Sequence, residues 1–433
     1  MKRVLAIDTP SQIGKEVKVL GWVNTRRDHG KIVFIDLRDR SGIVQVVLGE
    51  EAGELSPEDV LEVYGEVQKR PQNMVNPNIE TGEVEIKTKS FKILSKAASL
   101  PFDLFQKDLD VSLPTLLDNR SLTLRNEKIS AIFEVEEEIA RSFRETMRKL
   151  DFKEIFVPTI VAGATEGGAE VFKINYYNHD AYLAQSPQLY KQIMVSVFER
   201  VFTIAHAYRA EPSYTTRHLT EYVSLDCEMG FLEYWEDLMD TCEEVIRDVG
   251  KNLVKNNKKE LELFGVSFPK LPRKIPRVKL SEAQKLIKKD IGEPDLSPEG
   301  EKAICDYVSK KYNSDFVFIT HYPAIKRPFY TFPDEEDEKL TLSFDLLGKG
   351  VEWVTGGQRI NDYKMLVSAI KRIGTNPDNF KIYLDAFKYG MPKEGGFAMG
   401  LERMTMQILG LSNVREASLF PRDPERIDLR LKG

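Results

Sequence analysis

Cysteine is scarce: Cys227, Cys242 and Cys305 are the only three in 433 residues, with no CxxC pair and no histidine at ligand spacing. That argues against a disulfide-stapled scaffold and a structural zinc module, and for buried small hydrophobes in a reducing, cytoplasmic setting. Long apolar runs are missing too. Hydrophobic residues make up 42% and charged residues 30%, interleaved so that no stretch suits a bilayer crossing, and no membrane partner is expected. The opening MKRVLAIDTPSQIGKEV meets Asp8 and Pro10 before a secretory apolar core could develop, so it reads as the start of the fold. A basic surplus is also absent. The net charge of -6 disfavours a chain that coats DNA or RNA indiscriminately, because such binding neutralises many phosphates at once, but it leaves room for a local basic patch. The Gly-rich segments match neither GxxxxGK[ST] nor a strand-linked GxGxxG, which removes P-loop and Rossmann chemistry.

What is present is length enough for two or three domains. Over the first hundred residues apolar and polar residues alternate with period two in Val17 to Val23, Ile32 to Leu37, Ile43 to Leu48, Val60 to Val67 and Val84 to Ile86. With Gly21, Gly30, Gly42 and Gly65 between or within these runs, residues 1–101 predict a five-stranded OB-fold barrel. Residues 102–129, entered through Pro101 and holding Pro114, show little sustained periodicity and read as a hinge. From residue 130 to 433 a long helix, strand runs and amphipathic helices predict one α+β domain, an antiparallel sheet flanked by helices. The Lys- and Glu-rich stretch Tyr234 to Ile291 reads as a solvated helical excursion without chemistry.

Five clusters could carry chemistry. In the barrel, Arg26 and Arg27 are placed in a turn, with Phe34 and Gln45 on adjacent strands. Stacking on an aromatic ring, an amide reading a base edge and a guanidinium on phosphate would suit single-stranded RNA; a core Phe with surface arginines is the equal alternative. In GATEGGAEVF, Glu166 sits in a glycine loop able to close over an ammonium, and downstream QSPQLYK offers Lys191 to a carboxylate. In AYRAEPSYTTRHLTEY, Arg209 and Glu211 are two apart and would share a strand face, Arg217 and His218 could clamp phosphates, and Tyr222 could cover an adenine. Asp345 and Glu352 form an acidic pair of the kind Mg²⁺ takes beside polyphosphate, and Arg359 follows Gly356 and Gly357. Gly400 to Arg403 place an arginine at a helix start, an anion site or simply tight strand–helix packing.

In this order, behind a barrel, these clusters resemble the three motifs of class II aminoacyl-tRNA synthetases. Pro158 is similar to the motif 1 proline of the dimer interface, Arg209 and Glu211 to the motif 2 pair, and Gly400 to Arg403 to motif 3. TEGG, QSPQLYKQ and GGQR resemble aspartyl-tRNA synthetases of the compact archaeal type. The resemblance implies a homodimer that activates L-aspartate with ATP and Mg²⁺ and esterifies it onto tRNA, through positioning and charge neutralisation. It implies that Arg209 holds the α-phosphate and α-carboxylate, that Arg403, Arg217 and His218 hold outer phosphates, and that Glu211, Tyr222 and Gly400 complete the ATP site. Asp345 and Glu352 would hold Mg²⁺, and Glu166, Ser186 and Gln188 would surround the ammonium.

Selectivity would lie with Lys191 and Arg359 on the side-chain carboxylate. Asparagine is expected to leave both cations without a counter-charge, a mismatch on the order of several kcal/mol when buried, so that editing is unnecessary. Arg27, Phe34 and Gln45 match the family's anticodon-reading positions, and His29 occupies a place where strictly tRNA(Asp)-specific bacterial enzymes tend to carry Leu. With the RPQNMVNPN stretch, this implies charging of both tRNA(Asp) and tRNA(Asn). Ile360 and Asn361 after GGQR depart from the acidic or histidine residue common in the family. Three alternatives stand beside this reading: an asparaginyl-tRNA synthetase, a non-catalytic RNA-binding paralogue, and a paralogue making free asparagine, which would lack the barrel.

Overall fold

A computed structural model describes residues 1–49, 52–53, 55–163, 170–211 and 215–431. By contacts the chain divides into two units, Met1–Asp110 and Val111–Gly433.

The first unit is a closed barrel of β1 (Glu16–His29), β2 (Ile32–Asp39), β3 (Gly42–Leu48), β4 (Val60–Lys69) and β5 (Val84–Ser95), in the order β1-β2-β3-β5-β4. Alternation dictates its inside: Val17, Val19, Val33, Ile35, Leu37, Val44, Val46, Leu61, Val63 and Ile86 are all buried in one cluster. Gly65 lies where β4 crosses β5, and a Cβ there would fall 2.4 Å from the Lys87 carbonyl oxygen. The five expected runs each fall on a strand. Arg26 and Arg27, expected in a turn, lie instead on β1, opposite Ile35 and Phe34.

The second unit is built on eight strands: β6 (Lys153–Glu154), β10 (Arg200–Tyr208), β11 (Glu221–Gly230), β12 (Arg277–Lys279), β13 (Phe316–Thr320), β14 (Ser343–Gly348), β15 (Val351–Gln358) and β16 (Glu394–Gly400). Their order is β12-β13-β14-β15-β16-β11-β10-β6. The run from β13 to β10 is antiparallel as expected, but both edge pairs, β12 with β13 and β6 with β10, are parallel, so the sheet is mixed. A smaller sheet joins β7 (Ile160–Val161), β8 (Lys173–Tyr176) and β9 (His179–Leu183) in the order β7-β9-β8.

The sheet packs on the helices Glu127–Lys149, Asp237–Asn256 and Leu401–Leu409 around Phe143, Phe202, Phe316, Phe344, Trp353 and Phe397. Burying each such side chain is worth about 1.5–3 kcal/mol. Asn126 starts the first of these helices by accepting from the backbone N–H groups of Lys128 and Ile129. The helix Asp237–Asn256 corrects the expectation of a solvated excursion. Its Leu238, Cys242, Val245, Ile246, Val249 and Leu253 are inside the core, because one face of the charged sequence is apolar at helical spacing.

Candidate active site

On β11 the side chains of Ser224, Asp226 and Glu228 share one face, and all three are buried. Two carboxylates inside a sheet are costly unless paired, and both are. Lys191 Nζ, carried by the first turn of the helix Gln188–Phe198, donates to Asp226 Oδ1 at 2.7 Å and lies 3.2 Å from Glu228 Oε2. Arg359, which follows β15, donates from Nε to Glu228 Oε1 at 2.7 Å and from Nη2 to the Gly396 carbonyl at 3.1 Å. Gln188 bridges them, donating to Glu228 Oε1 at 3.4 Å and accepting from Arg359 at 3.5 Å, while Ser186 Oγ accepts from the Gln188 backbone N–H at 3.3 Å. Tyr330 lies under the guanidinium, 5.4 Å from ring centre to Cζ.

The two predicted cations therefore converge, and do so on carboxylates the sequence reading did not single out. Burial opposes the charge on Lys191, but Asp226 and Glu228 outweigh it and hold its pKa above the ordinary lysine value. Burial likewise opposes the charge on Glu228, which Arg359 and Lys191 overcome, keeping that carboxyl below its usual range. The expectation that an amide substrate would strand both cations without a counter-charge is thereby corrected, since each has one within the protein. Arg359 Nη1 still has no acceptor among the described residues. Glu166 lies outside the described residues.

Close fit holds this cluster together. A Cβ on Gly396 would lie 2.0 Å from the Cys227 carbonyl oxygen and 2.4 Å from Glu228 Oε2, so β16 can lie against β11 there only without a side chain.

A second group lies around the β10–β11 connection. The Arg209 backbone N–H donates to Thr220 at 2.9 Å, extending the ladder one residue beyond β10, and its guanidinium stands 5.6 Å from the Tyr222 ring centre. Glu211 lies past the strand, in the connecting loop, so the expected shared strand face is replaced by a strand end and a loop. Arg217 Nη1 is 3.6 Å from Glu301 on the helix Pro298–Tyr312. His218 pairs with Thr215, and burial, then Arg403, pushes its pKa down. Arg403 donates to Glu352 Oε1 at 3.4 Å from the first turn of the helix Leu401–Leu409. Gly400 caps that helix in an extended conformation, and a Cβ there would approach only Arg403 Cβ, at 3.6 Å.

Asp345 on β14 and Glu352 on β15 face this group from adjacent antiparallel strands. Arg327 donates to Asp345 Oδ2 at 2.8 Å and to Thr355 Oγ1 at 3.0 Å, and stacks 3.9 Å over Tyr322. Asp345 Oδ1 is buried without a hydrogen-bond partner among the described residues. Burial, then the Asp345 carboxylate, pushes Glu352 upward. Among the described residues no group of three or more His, Cys, Asp or Glu could hold a metal alone. An acidic pair with an orphaned oxygen beside a cluster of arginines suits a hard cation completed by phosphate oxygens.

In the barrel, register answers whether Phe34 is core. Val33, Ile35 and Leu37 are buried, so Phe34 points outward, half-buried, with His29 edge-on at 5.6 Å. Arg27, opposite Phe34, grips both oxygens of Asp36 at 3.0 and 2.9 Å and reaches Gln45 at 3.3 Å, while Gln45 donates to Glu85 at 2.8 Å. Arginine, aromatic ring and imidazole share one outer face, with the buried Gln45 amide held between Arg27 and Glu85.

Residues 112–424 match the family described as tRNA synthetases class II (D, K and N), and residues 17–94 match the OB-fold nucleic acid binding domain. The chain belongs to the class II tRNA synthetases. It is 44% identical over 429 residues to the "Aspartate--tRNA(Asp/Asn) ligase" of Thermus thermophilus, covering 98% of this chain and 99% of that one. It is 41% identical to the "Aspartate--tRNA(Asp) ligase" of Pyrococcus abyssi, covering 96% of each. Among solved structures, the asparaginyl-tRNA synthetase of Pyrococcus horikoshii with asparaginyl-adenylate superposes with a TM-score of 0.89 at 31% identity, covering 99% of both chains. The aspartyl-tRNA synthetase of Entamoeba histolytica does so at 0.85 and 30%, covering 99% of this chain and 93% of that one.

As a class II synthetase the enzyme takes ATP as a substrate and tRNA as a partner. Among the described residues no helix is long and apolar enough to cross a membrane. The fold brings Ser186, Gln188, Lys191 and Arg359 into one cluster, and gathers Arg209, Tyr222, Arg217, His218, Arg403, Asp345 and Glu352 around the β10–β11 connection and the facing strands. Sequence reasoning missed Asp226, Glu228 and Arg327. The first two had a signal, acidic residues two apart in the apolar run of β11; Arg327 had none.

Proposed function

We infer that this enzyme is an aspartate–tRNA ligase that activates L-aspartate with ATP and charges both tRNA(Asp) and tRNA(Asn). The observation that carries the aspartate reading is the meeting of Lys191 and Arg359 at Glu228. Both side chains are donors only. A side-chain carboxylate offers them two acceptor oxygens. An asparagine amide offers one, and its NH₂ would set N–H against N–H in a buried site, a cost of about 1–3 kcal/mol per unmade bond. Asparaginyl enzymes share the fold, so the TM-scores do not separate the two readings; donor chemistry favours aspartate.

In this reading Ser186, Gln188 and Glu166 surround the ammonium, and Lys191 and Arg359 fix the side chain. Arg209 draws the α-carboxylate towards the α-phosphate and neutralises charge as the adenylate forms and pyrophosphate leaves. Arg217, His218 and Arg403 hold the outer phosphates, Tyr222 and Glu211 the nucleoside side, and Gly400 leaves the helix N-terminus open to anions. Asp345 and Glu352 hold Mg²⁺, which when bound supplies charge neutralisation on the phosphates. Arg27, Phe34, Gln45 and His29 read the anticodon by stacking and hydrogen bonding. Phe156, two residues before Pro158, is 89% exposed, apolar surface that a second copy covers in a homodimer. The three buried thiols suit the reducing cytoplasm.

Pyrophosphate exchange with each amino acid, followed by charging of tRNA(Asp) and tRNA(Asn) transcripts, tests this. Exchange with aspartate and aspartylation of both transcripts is the expected result. Exchange with asparagine alone overturns the aspartate reading, and no charging of tRNA(Asn) overturns dual specificity.

A further inference from the structure

Glu394, the first residue of β16, is wholly buried and has no place in the chemistry above. Four groups face it from the elements packed around it. Gln192, on the same helix as Lys191, donates from Nε2 to Glu394 Oε1 at 2.6 Å. Tyr383, on the helix Lys381–Lys388, donates its phenol proton to Gln192 Oε1 at 3.2 Å. Glu228 is its diagonal neighbour on the paired strand β11, where Glu228 lies opposite Gly396 and Glu394 opposite Gly230, and Arg359 adds a positive charge nearby. The Arg359 backbone N–H also donates to the Glu394 carbonyl at 2.9 Å.

The direction of this chain is set by chemistry. The Gln192 carbonyl takes the phenol proton, so its NH₂ is what meets Glu394, and Glu394 Oε1 must accept. The remaining oxygens, Glu394 Oε2 and Glu228 Oε2, are both buried and both lack an aligned hydrogen bond. Two carboxyls can bond to each other only through a proton. Glu228 is bonded to one cation and 3.2 Å from another, so it is the better anion and the proton belongs to Glu394. Burial, and then the Glu228 carboxylate, pushes the Glu394 pKa well up, in agreement.

We propose that Glu394 is a neutral positioning residue of the amino-acid pocket, a protonated carboxyl that braces Glu228 from behind and so holds Arg359 and Lys191 in place for the substrate carboxylate. Charge is the reason it must be neutral. Lys191 and Arg359 balance Asp226 and Glu228, so an entering side-chain carboxylate brings one unmatched negative charge; an ionised Glu394 would make two within one buried site. This inference rests on the reading of that pocket as the aspartate site.

The test compares Glu394→Gln and Glu394→Ala in aspartate-dependent pyrophosphate exchange, with thermal melting to confirm folding. Gln keeps an N–H donor to Glu228 and a carbonyl for Gln192, so its KM for aspartate stays within about threefold of the parent. Ala removes the brace: KM for aspartate rises roughly ten- to a hundredfold, with KM for ATP and kcat little changed. Independently of activity, the infrared spectrum at neutral pH loses one protonated-carboxyl carbonyl band in Glu394→Gln. An unaltered infrared spectrum, an Ala variant that binds aspartate normally, or a folded Gln variant as impaired as Ala overturns the proposal. Absence of aspartate-dependent exchange in the parent enzyme overturns the pocket reading instead.

Discussion

Arg359 and Glu228, 131 residues apart in sequence, are joined by a 2.7 Å hydrogen bond from Nε to Oε1. The bond spans three strands. Glu228 belongs to β11, Arg359 follows β15, and β16 runs between them. Arg359 also donates to the Gly396 carbonyl, so the guanidinium is held by the strand it crosses as well as by the carboxylate it reaches. A planar, donor-only group is thereby fixed with Nη1 unengaged among the described residues.

Arg359→Ala leaves Glu228 buried with one cation fewer. The expected cost is about 3–5 kcal/mol in stability, and kcat/KM for aspartate falls by about a hundredfold or more. Arg359→Lys does not restore it, because a point charge cannot reproduce the forked donors. Urea unfolding and exchange kinetics measure the two effects.

Gly396→Ala drives a methyl group against the Cys227 carbonyl and Glu228 Oε2. Neither can retreat, one being backbone and the other ion-paired. Destabilisation of about 3 kcal/mol or more is expected, with aspartate binding lost in whatever remains folded. Gly400→Ala meets only ordinary contact at 3.6 Å and is expected to leave the melting temperature nearly unchanged.

Asp345→Asn keeps an oxygen for Arg327 but removes the charge beside the orphaned position. The magnesium concentration at half-maximal exchange is expected to rise by at least tenfold, on the order of other losses around metal ligands. The aspartate KM at saturating magnesium should be unaffected.

Glu136, on the helix Glu127–Lys149, has its pKa pushed up to about 9 by burial and then by the Glu402 carboxylate, against Arg120. The unfolded chain releases that proton near the ordinary value of about 4.3. Between the two values the folded state holds a proton that the unfolded state has lost, so this group's contribution to stability falls as pH rises across the window. Glu136→Gln should therefore melt progressively higher than the parent as pH is raised from about 5 to about 9. A constant difference would show that Glu136 does not titrate in this way.

Much of this was legible in one dimension. The barrel strands follow from alternation and glycine placement, which are local properties of a chain, whereas Lys191, Arg359 and the Asp345–Glu352 pair stood out only through the resemblance of the motifs around them. Arg27 was mistaken for a turn residue because the first strand runs on through charged residues to His29, and propensity carries no record of the partner strand that keeps it extended. The helix Asp237–Asn256 was mistaken for a solvated one because its composition is charged, while its apolar stripe matters only once a sheet is there to cover it.

By itself, then, the sequence determined the elements, the order of the motifs and the types of charge available, since each depends on neighbours along the chain. Which carboxylate meets which cation was decided by strand order. Lys191, Glu228, Arg359 and Glu394 come from four separated segments, and a buried charge is tolerable only where another segment brings its counter-charge within hydrogen-bonding reach.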